Sequence, residues 1–250
     1  HYIWRVLKKV QVFVKSLLGK GQAGELARGS ALLLIAKVFG AVSGYVMAFV
    51  LTKRGDATAV GIYELAFTCI ILLSVVARFG LDGAIVRYIG VFMANSEVGA
   101  VRWLYKKSML FSALFSIALG GIVFLLAPWL STLFGDDDMT LPFKWAAFAI
   151  PFFTLMNMNA ETLRGFKRMV AYSFLQQGTV IFVTAIIFLL WWSPDAVGLS
   201  GVKAFFIASA VLFLISQLNV GQRFAKISAL VIPRTSFNEV VTVSYTHLRA

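Results

Sequence analysis

Residues 108–134 read SMLFSALFSIALGGIVFLLAPWLSTLF, and none of them is charged. A helix that spans the hydrocarbon core of a bilayer needs about 20 mainly apolar residues, so this stretch predicts a transmembrane helix. Five further apolar runs flank it along the chain. The sequence therefore predicts an all-α polytopic membrane protein built around a bundle of six transmembrane helices. The six runs cover about 29–51, 60–81, 108–134, 143–163, 171–192 and 201–220.

The overall composition agrees with a membrane protein. Of the 250 residues, 60% are hydrophobic and 14% are charged, whereas a soluble domain carries about 25% charged residues. The net charge of +12 could indicate nucleic-acid binding, but no binding motif accompanies it. Cys69 is the lone cysteine, and His1 and His247 lie at the chain ends, which leaves little for a metal site. We expect no cofactor, no metal and no nucleic-acid partner.

Lysine and arginine alternate in abundance between successive gaps in the apolar runs. Cytoplasmic loops of membrane proteins carry an excess of both residues, so the amino terminus is expected on the cytoplasmic side. The gaps predicted to face outward hold only Lys53, Arg54, Lys144 and Lys203. The gaps predicted to face inward hold Arg5, Lys8, Lys9, Lys15, Lys20, Arg28, Arg87, Arg102, Lys106, Lys107, Arg164, Lys167, Arg168, Arg223, Lys226 and Arg234.

Both ends of the chain differ from its centre. Residues 1–28 mix lysines with apolar side chains, which predicts an amphipathic helix on the inner membrane surface. Residues 243–250, VSYTHLRA, resemble a translated sequencing adapter and are expected to be a non-native tail. The chain begins with His rather than Met, so we expect it to be a piece of a longer protein.

Charged residues within the predicted spans need a reason, because each costs about 2.5–3.5 kcal/mol at the centre of a spanning helix. Lys37, in the first span, lies too deep for its amine to reach the membrane surface easily. Gly40 and Gly44 follow it in a small-xxx-small pattern that lets helices approach closely. Neither Lys37 nor Glu64, in the second span, has a partner of opposite charge nearby in sequence.

Two other groups contain charges at pairing distance. Arg78 and Asp82 are four residues apart and could pair; they also share a face with Glu64 if the second helix runs through Gly80. In the fourth span, Thr154, Asn157, Glu161 and Arg164 share a face. These pairs could simply hold the bundle together. Alternatively, they line a water-filled cavity that favours an anionic substrate such as a phosphate-linked lipid.

Short motifs lie at the ends of several predicted spans: Gly29 and Ser30 at the start of the first span, GIY at 61–63, GLDGAIVR at 80–87 and LRGFKR at 163–168. In this order they resemble motifs of the oligosaccharide (O-antigen) flippase family, within the multidrug/oligosaccharidyl-lipid/polysaccharide flippase superfamily. The resemblance extends over about residues 15–230.

The resemblance implies a transporter of two six-helix lobes, with 12 to 14 spans, in the bacterial inner membrane. Residues 29–221 would form the first lobe, and residues 222–242 would be a cytoplasmic loop toward a missing seventh helix. Members of the family are not enzymes. They move undecaprenyl-pyrophosphate-linked oligosaccharide from the cytoplasmic to the outer leaflet by alternating access, so the implied partners are that substrate and the membrane lipids.

The resemblance also suggests roles for the charged residues. By position, Lys37, Arg78 and Arg87 are candidates for binding the pyrophosphate of the substrate. Glu64, Asp82 and Glu161 are candidates for coupling to H⁺ or Na⁺, or for gating.

Three other functions are compatible with an apolar helical bundle. A cation-coupled multidrug exporter of the same superfamily would rely on acidic groups, and the basic residues in these spans argue against a cationic drug. A membrane enzyme acting on polyprenyl-phosphate sugars would need clustered acids outside the membrane, and residues 136–138 are the one such cluster. A bare structural scaffold is disfavoured by the cost of charges within the membrane.

Overall fold

The structure is a computed structural model that describes residues 22–135, 137–175, 177–191 and 193–225, without the side chains of 22–28, 137, 177 and 195. These residues are helical with short connections, which confirms the all-α class. Two 3₁₀ turns, Asp137–Met139 and Pro194–Ala196, precede the fifth and eighth helices. The α-helices are α1 (Gln22–Arg54), α2 (Ala57–Arg78), α3 (Leu81–Ala94), α4 (Val98–Leu133), α5 (Thr140–Gly165), α6 (Met169–Phe174), α7 (Gln177–Leu190) and α8 (Val197–Ala225).

Helix α5 forms the centre of the bundle. It packs most extensively against α4 and α8, and α2 and α3 also contact it. Ile150, Phe153 and Met156 of α5 are at most 4% exposed. Helix α7 packs against α8 and α1, so α1 lies at the edge of the bundle.

Small residues set the closest helix contacts. A Cβ atom on Gly120 of α4 would lie 2.7 Å from the carbonyl oxygen of Ala147 in α5. A Cβ atom on Gly40 of α1 would lie 3.2 Å from the Cα atom of Gly178 in α7, whereas one on Gly44 would meet open space. The predicted close approach at Gly40 is confirmed, and it fixes α1 against α7.

The second predicted span ends earlier than expected. Helix α2 stops at Arg78, since Phe79 (φ 51°) and Gly80 (φ 70°) both adopt left-handed backbone conformations. The Phe79 N–H bonds to the carbonyl oxygen of Val76, which closes the last turn. The shared face of Glu64, Arg78 and Asp82 required a helix that runs through Gly80, and that condition is not met, so Asp82 does not continue the face of α2 that carries Glu64.

Among the described residues, four helical segments are long and apolar enough to cross a membrane: Gly29–Arg54, Ala57–Arg78, Val98–Leu133 and Val197–Ala225. Helix α5 is also long enough, at 26 residues, but it is too polar to be counted with these four segments. Helix α7 has 14 residues, fewer than the roughly 20 that a span needs. The bundle fits a multi-pass membrane protein, while the predicted count of six spans is not confirmed.

The predicted terminal segments fall largely outside the described residues. Of the segment 1–28, only the backbone of 22–28 is described, and it belongs to α1. Residues 222–225 complete α8. The rest of the predicted loop 222–242 and the tail 243–250 lie beyond the described part of the chain.

Candidate functional site

Two ion pairs lie side by side at one end of the bundle. The Nε atom of Arg78 is 3.1 Å from the Oδ2 atom of Asp82, and the Nη1 atom of Arg164 is 3.0 Å from the Oε2 atom of Glu161. Both pairings were predicted from sequence spacing and are confirmed. Asp82 also lies within electrostatic reach of Arg164, and Glu161 within reach of Arg78. We call these four residues the charge cluster, and their charges sum to zero.

The break between α2 and α3 positions half of the charge cluster. Arg78 is the last residue of α2, and the left-handed turn at Phe79 and Gly80 places Asp82 in the first turn of α3. Helix α3 then packs against the end of α5, where Ile89 contacts Gly165. Because α3 lies on α5, Asp82 comes close to Glu161 and Arg164.

The two ion pairs differ in geometry. Arg164 donates a hydrogen bond to Glu161. In contrast, the Arg78 Nε and Asp82 Oδ1 atoms are buried without a hydrogen-bond partner in the structure described. A buried polar atom without a partner costs about 1–3 kcal/mol. Burial raises the pKa of the Asp82 carboxyl, and the positive charges of Arg78 and Arg164 oppose that shift. The Arg78–Asp82 half of the cluster therefore has unused hydrogen-bonding capacity.

Tyr172 of α6 closes one side of the charge cluster. The guanidinium carbon of Arg164 lies 5.5 Å from the centre of the Tyr172 ring, within cation–π range. The chain reverses between α5 and α6 because Lys167 adopts a positive φ of 57° and its N–H bonds to the carbonyl oxygen of Arg164. That reversal brings Tyr172 back onto Arg164.

Lys37, Glu64 and Arg87 lie outside the charge cluster, and all three are exposed. Lys37 and Glu64 lie on either side of the turn at Gly55 in the chain, about 18 and about 9 residues from it, and so at different distances from that turn along α1 and α2. No ion pair forms with either residue among the described side chains. Lys37 lies on α1, Arg78 at the end of α2 and Arg87 on α3, and a shared role in binding substrate stays a prediction.

Lys37 and Glu64 are surrounded by exposed apolar side chains. On α1, Leu34 is 61% and Tyr45 is 80% exposed; on α2, Leu72 is 61% exposed. Glu64 and Leu72 fall on one stripe of α2 at helical spacing. We call the exposed sides of α1 and α2 that carry Lys37 and Glu64 the open face.

A buried polar network escaped the sequence analysis. The Tyr105 hydroxyl of α4 donates to the Oδ1 atom of Asn159 in α5 at 2.8 Å and lies 3.1 Å from the Oε1 atom of Gln217 in α8. The Asn159 amide donates to Ser216 and Gln217. These bonds join α4, α5 and α8 near the end that carries the charge cluster. Asn159 and Gln217, uncharged polar residues within the apolar runs 143–163 and 201–220, were the available signal.

At the opposite end, three connections between helices surround a cavity of about 520 Å³. Asp56 and Asp138 contribute its charged groups, and the Asp56 side chain accepts a hydrogen bond from the N–H of Ala59 at the start of α2. In the described part of the chain, no group of three or more His, Cys, Asp or Glu side chains could hold a metal ion.

The sequence profile of a family described as "polysaccharide biosynthesis protein" matches residues 26–247. The match extends over nearly all the described residues, including the charge cluster and the open face. No curated protein matches the chain.

Proposed function

Because the chain belongs to the polysaccharide biosynthesis protein family, we propose that it flips polyprenyl-pyrophosphate-linked oligosaccharide from the cytoplasmic to the outer leaflet by alternating access. In this proposal the chain is not an enzyme, and it acts as one lobe of a two-lobed transporter in a bacterial inner membrane. The observation that carries the proposal is the pair of isolated charges, Lys37 and Glu64, on the open face.

The cost of charge in lipid indicates what the open face contacts. A lysine or an acidic residue at the centre of a spanning helix costs about 2.5–3.5 kcal/mol on insertion scales when it faces lipid. Lys37 and Glu64 are exposed on helices long and apolar enough to span the membrane. A water-filled path between this lobe and a second one removes that cost. We therefore assign the open face to the translocation path.

The proposal requires six spans: the four segments long and apolar enough to cross a membrane, and two further segments formed by α5 and by α6 with α7. Helix α5 has 26 residues, about 39 Å at 1.5 Å per residue, and three of its polar side chains, Thr154, Asn159 and Thr162, are buried in the bundle. Helices α6 and α7 together extend over Met169–Phe174 and Gln177–Leu190. This arrangement places the amino terminus, the charge cluster and the loops rich in basic residues on the cytoplasmic side.

The three cations are assigned different parts of the path. Arg87, exposed on α3 at the cytoplasmic end, would meet the pyrophosphate first. Lys37, deeper on α1, would hold it within the path, because a lysine is an effective point charge for phosphate. Arg78 already faces Asp82 at 3.1 Å, so it would contact substrate only when that pair opens. Asp82, Glu161 and Glu64 are the groups assigned to coupling or gating.

One observation favours a second candidate function. Glu64 is an exposed acid on the open face, and an acid in that position would suit a cation-coupled exporter of cationic drugs. Such an exporter belongs to the same wider superfamily that the sequence motifs resemble.

A leaflet-exchange assay separates the two functions. The intact protein would be reconstituted in vesicles that contain lipid-linked oligosaccharide, and the fraction of sugar accessible to an external glycosidase would be followed. Ethidium efflux would be measured in parallel. We expect time-dependent sugar exchange without ethidium efflux. Efflux without sugar exchange would replace the flippase proposal with the drug exporter.

A further inference from the structure

A second cavity lies at the same end of the bundle as the charge cluster but on another side of α5. Its volume is about 150 Å³. Leu163, which lines it, is two residues beyond Glu161 and so lies on nearly the opposite side of the helix. We call this cavity the basic pocket. It is lined by Leu163, Arg168, Ala171, Asn219, Gln222 and Arg223.

The charged side chains that line the basic pocket are all basic. Its charged groups are two guanidinium groups, and its other polar groups are two side-chain amides. The described residues place no acidic side chain in an ion pair with Arg168 or Arg223, since the nearby Glu161 is paired with Arg164. Asn219 donates one amide hydrogen to the carbonyl oxygen of Ile215, and its second hydrogen is available to a ligand.

Both arginines stand on a fixed backbone. The N–H of Arg168 bonds to the carbonyl oxygen of Leu163 at 2.9 Å, which ties it to the end of α5. Next to Arg223, the Phe224 carbonyl accepts a hydrogen bond from Arg102 of α4 at 2.9 Å, and the Phe224 ring packs against Tyr105. With their backbones held in this way, the two arginines line one pocket, and the guanidinium fork fits a phosphate group well.

Exposed apolar side chains next in sequence to two of the lining residues indicate the source of that phosphate. Val170, next to Ala171, is 69% exposed, and Leu218, next to Asn219, is 67% exposed. A free phosphate ion gains nothing from exposed apolar side chains, whereas the acyl chains of a phospholipid would cover them. Basic pockets between helices on the cytoplasmic side of membrane proteins bind anionic lipid head groups.

We infer that the basic pocket is a binding site for a phosphate anion, and that an anionic phospholipid head group supplies it. The inference does not depend on transport, because the pocket is separate from the open face. It needs only that this end of the bundle lies at a membrane surface.

The test is a titration of the intact, purified protein with dioleoyl-phosphatidylglycerol, followed by native mass spectrometry of bound lipid. The double variant R168Q/R223Q is expected to lower the affinity of the tightest site about tenfold, because it removes two charge-assisted contacts. The matched control is K106Q/K107Q, which removes two exposed charges from α4 outside the pocket. We expect that control to change the affinity less than twofold.

Two further arms complete the experiment. Inorganic phosphate at the same concentration as the lipid is expected not to displace it; displacement would overturn the lipid assignment in favour of a free ion. If R168Q/R223Q fails to fold, R168K/R223K keeps both charges but loses the guanidinium fork, and a several-fold loss of lipid affinity is expected. Equal losses in the pocket and control pairs, or no loss in the pocket pair, would overturn the site itself.

Discussion

The charge cluster and the open face place ionisable residues of the same kinds in opposite situations. In the charge cluster, Arg78, Asp82 and Glu161 are partly buried, Arg164 is 44% exposed, and each faces a charge of opposite sign. On the open face, Lys37 and Glu64 are exposed, and neither forms an ion pair with a described side chain. Both sets lie on helices that fit a membrane protein, so the two sets differ in their surroundings rather than in the kind of helix that carries them.

That difference separates two ways of tolerating charge in a membrane. In a paired, neutral cluster, the ion pairs themselves offset the cost of removing the charges from water. Such a cluster can hold α2, α3 and α5 together without any ligand. For an isolated charge on an exposed apolar face, the free-energy cost of contact with lipid must be offset by water, substrate or a second lobe. We therefore expect damage to the cluster to affect stability first, and damage to the open face to affect transport first.

The largest effect should come from moving the helix that carries Lys37. A side chain on Gly178 would collide with the backbone of Gly40, so Gly178→Leu is expected to displace α1 and to abolish both folding yield and transport. The matched control is Gly44→Leu on α1, where added atoms meet open space. Monodisperse yield after purification is the measurement. A Gly178→Leu protein as well folded as Gly44→Leu would contradict the α1–α7 contact.

Removing one partner of the buried ion pair should come next. Arg78→Ala leaves Asp82 and Glu161 with a single guanidinium group, and we expect a loss of about 1–3 kcal/mol in the free energy of unfolding. The double variant Arg78→Ala/Asp82→Asn removes both charges and should recover most of that loss, as coupled residues do. Unfolding of the purified protein by denaturant measures both. Additive losses would show that the two side chains act independently.

On the open face, Lys37→Ala is expected to lower oligosaccharide translocation about tenfold, because one charge-assisted contact to phosphate is lost. Its stability should change by less than about 0.5 kcal/mol, as for an exposed residue. Lys53→Ala, at the carboxyl end of the same helix, is the control and should transport normally. Normal translocation by Lys37→Ala would remove Lys37 from the path.

The smallest expected effect concerns coupling. Glu64→Gln keeps the size of the side chain but removes its charge, so transport should continue while its dependence on a proton or sodium gradient changes. Translocation rates measured with and without each gradient test this. An identical gradient dependence in Glu64→Gln and the unchanged protein would exclude Glu64 from coupling.

Local spacing in the sequence was enough to predict part of the site. The two ion pairs follow from separations of three and four residues along a helix, and the close contact at Gly40 follows from its lack of a Cβ atom. These features depend on a few neighbouring residues. The all-α class follows in the same way from the length of the apolar runs.

Long-range features were out of reach of the sequence. The meeting of the two ion pairs depends on how α3 lies on α5, and the Tyr105–Asn159–Gln217 network joins three separate helices. The break at Phe79 was missed because a left-handed phenylalanine has no sequence signal of its own, and Gly80 alone was compatible with a continuous helix.

The central claim is that the open face borders water while the rest of the bundle surface borders lipid. Leu72 on the open face and Leu114 on α4 allow a matched test, since each is 61% exposed. In a Cys69→Ser background, Leu72→Cys and Leu114→Cys would be introduced singly into the intact protein, and their reaction with a hydrophilic maleimide in open membrane fragments would be timed. We expect Leu72→Cys to react at least about tenfold faster, because maleimide attack needs a water-exposed thiolate. Equal rates at the two positions would contradict a water-filled path along α1 and α2.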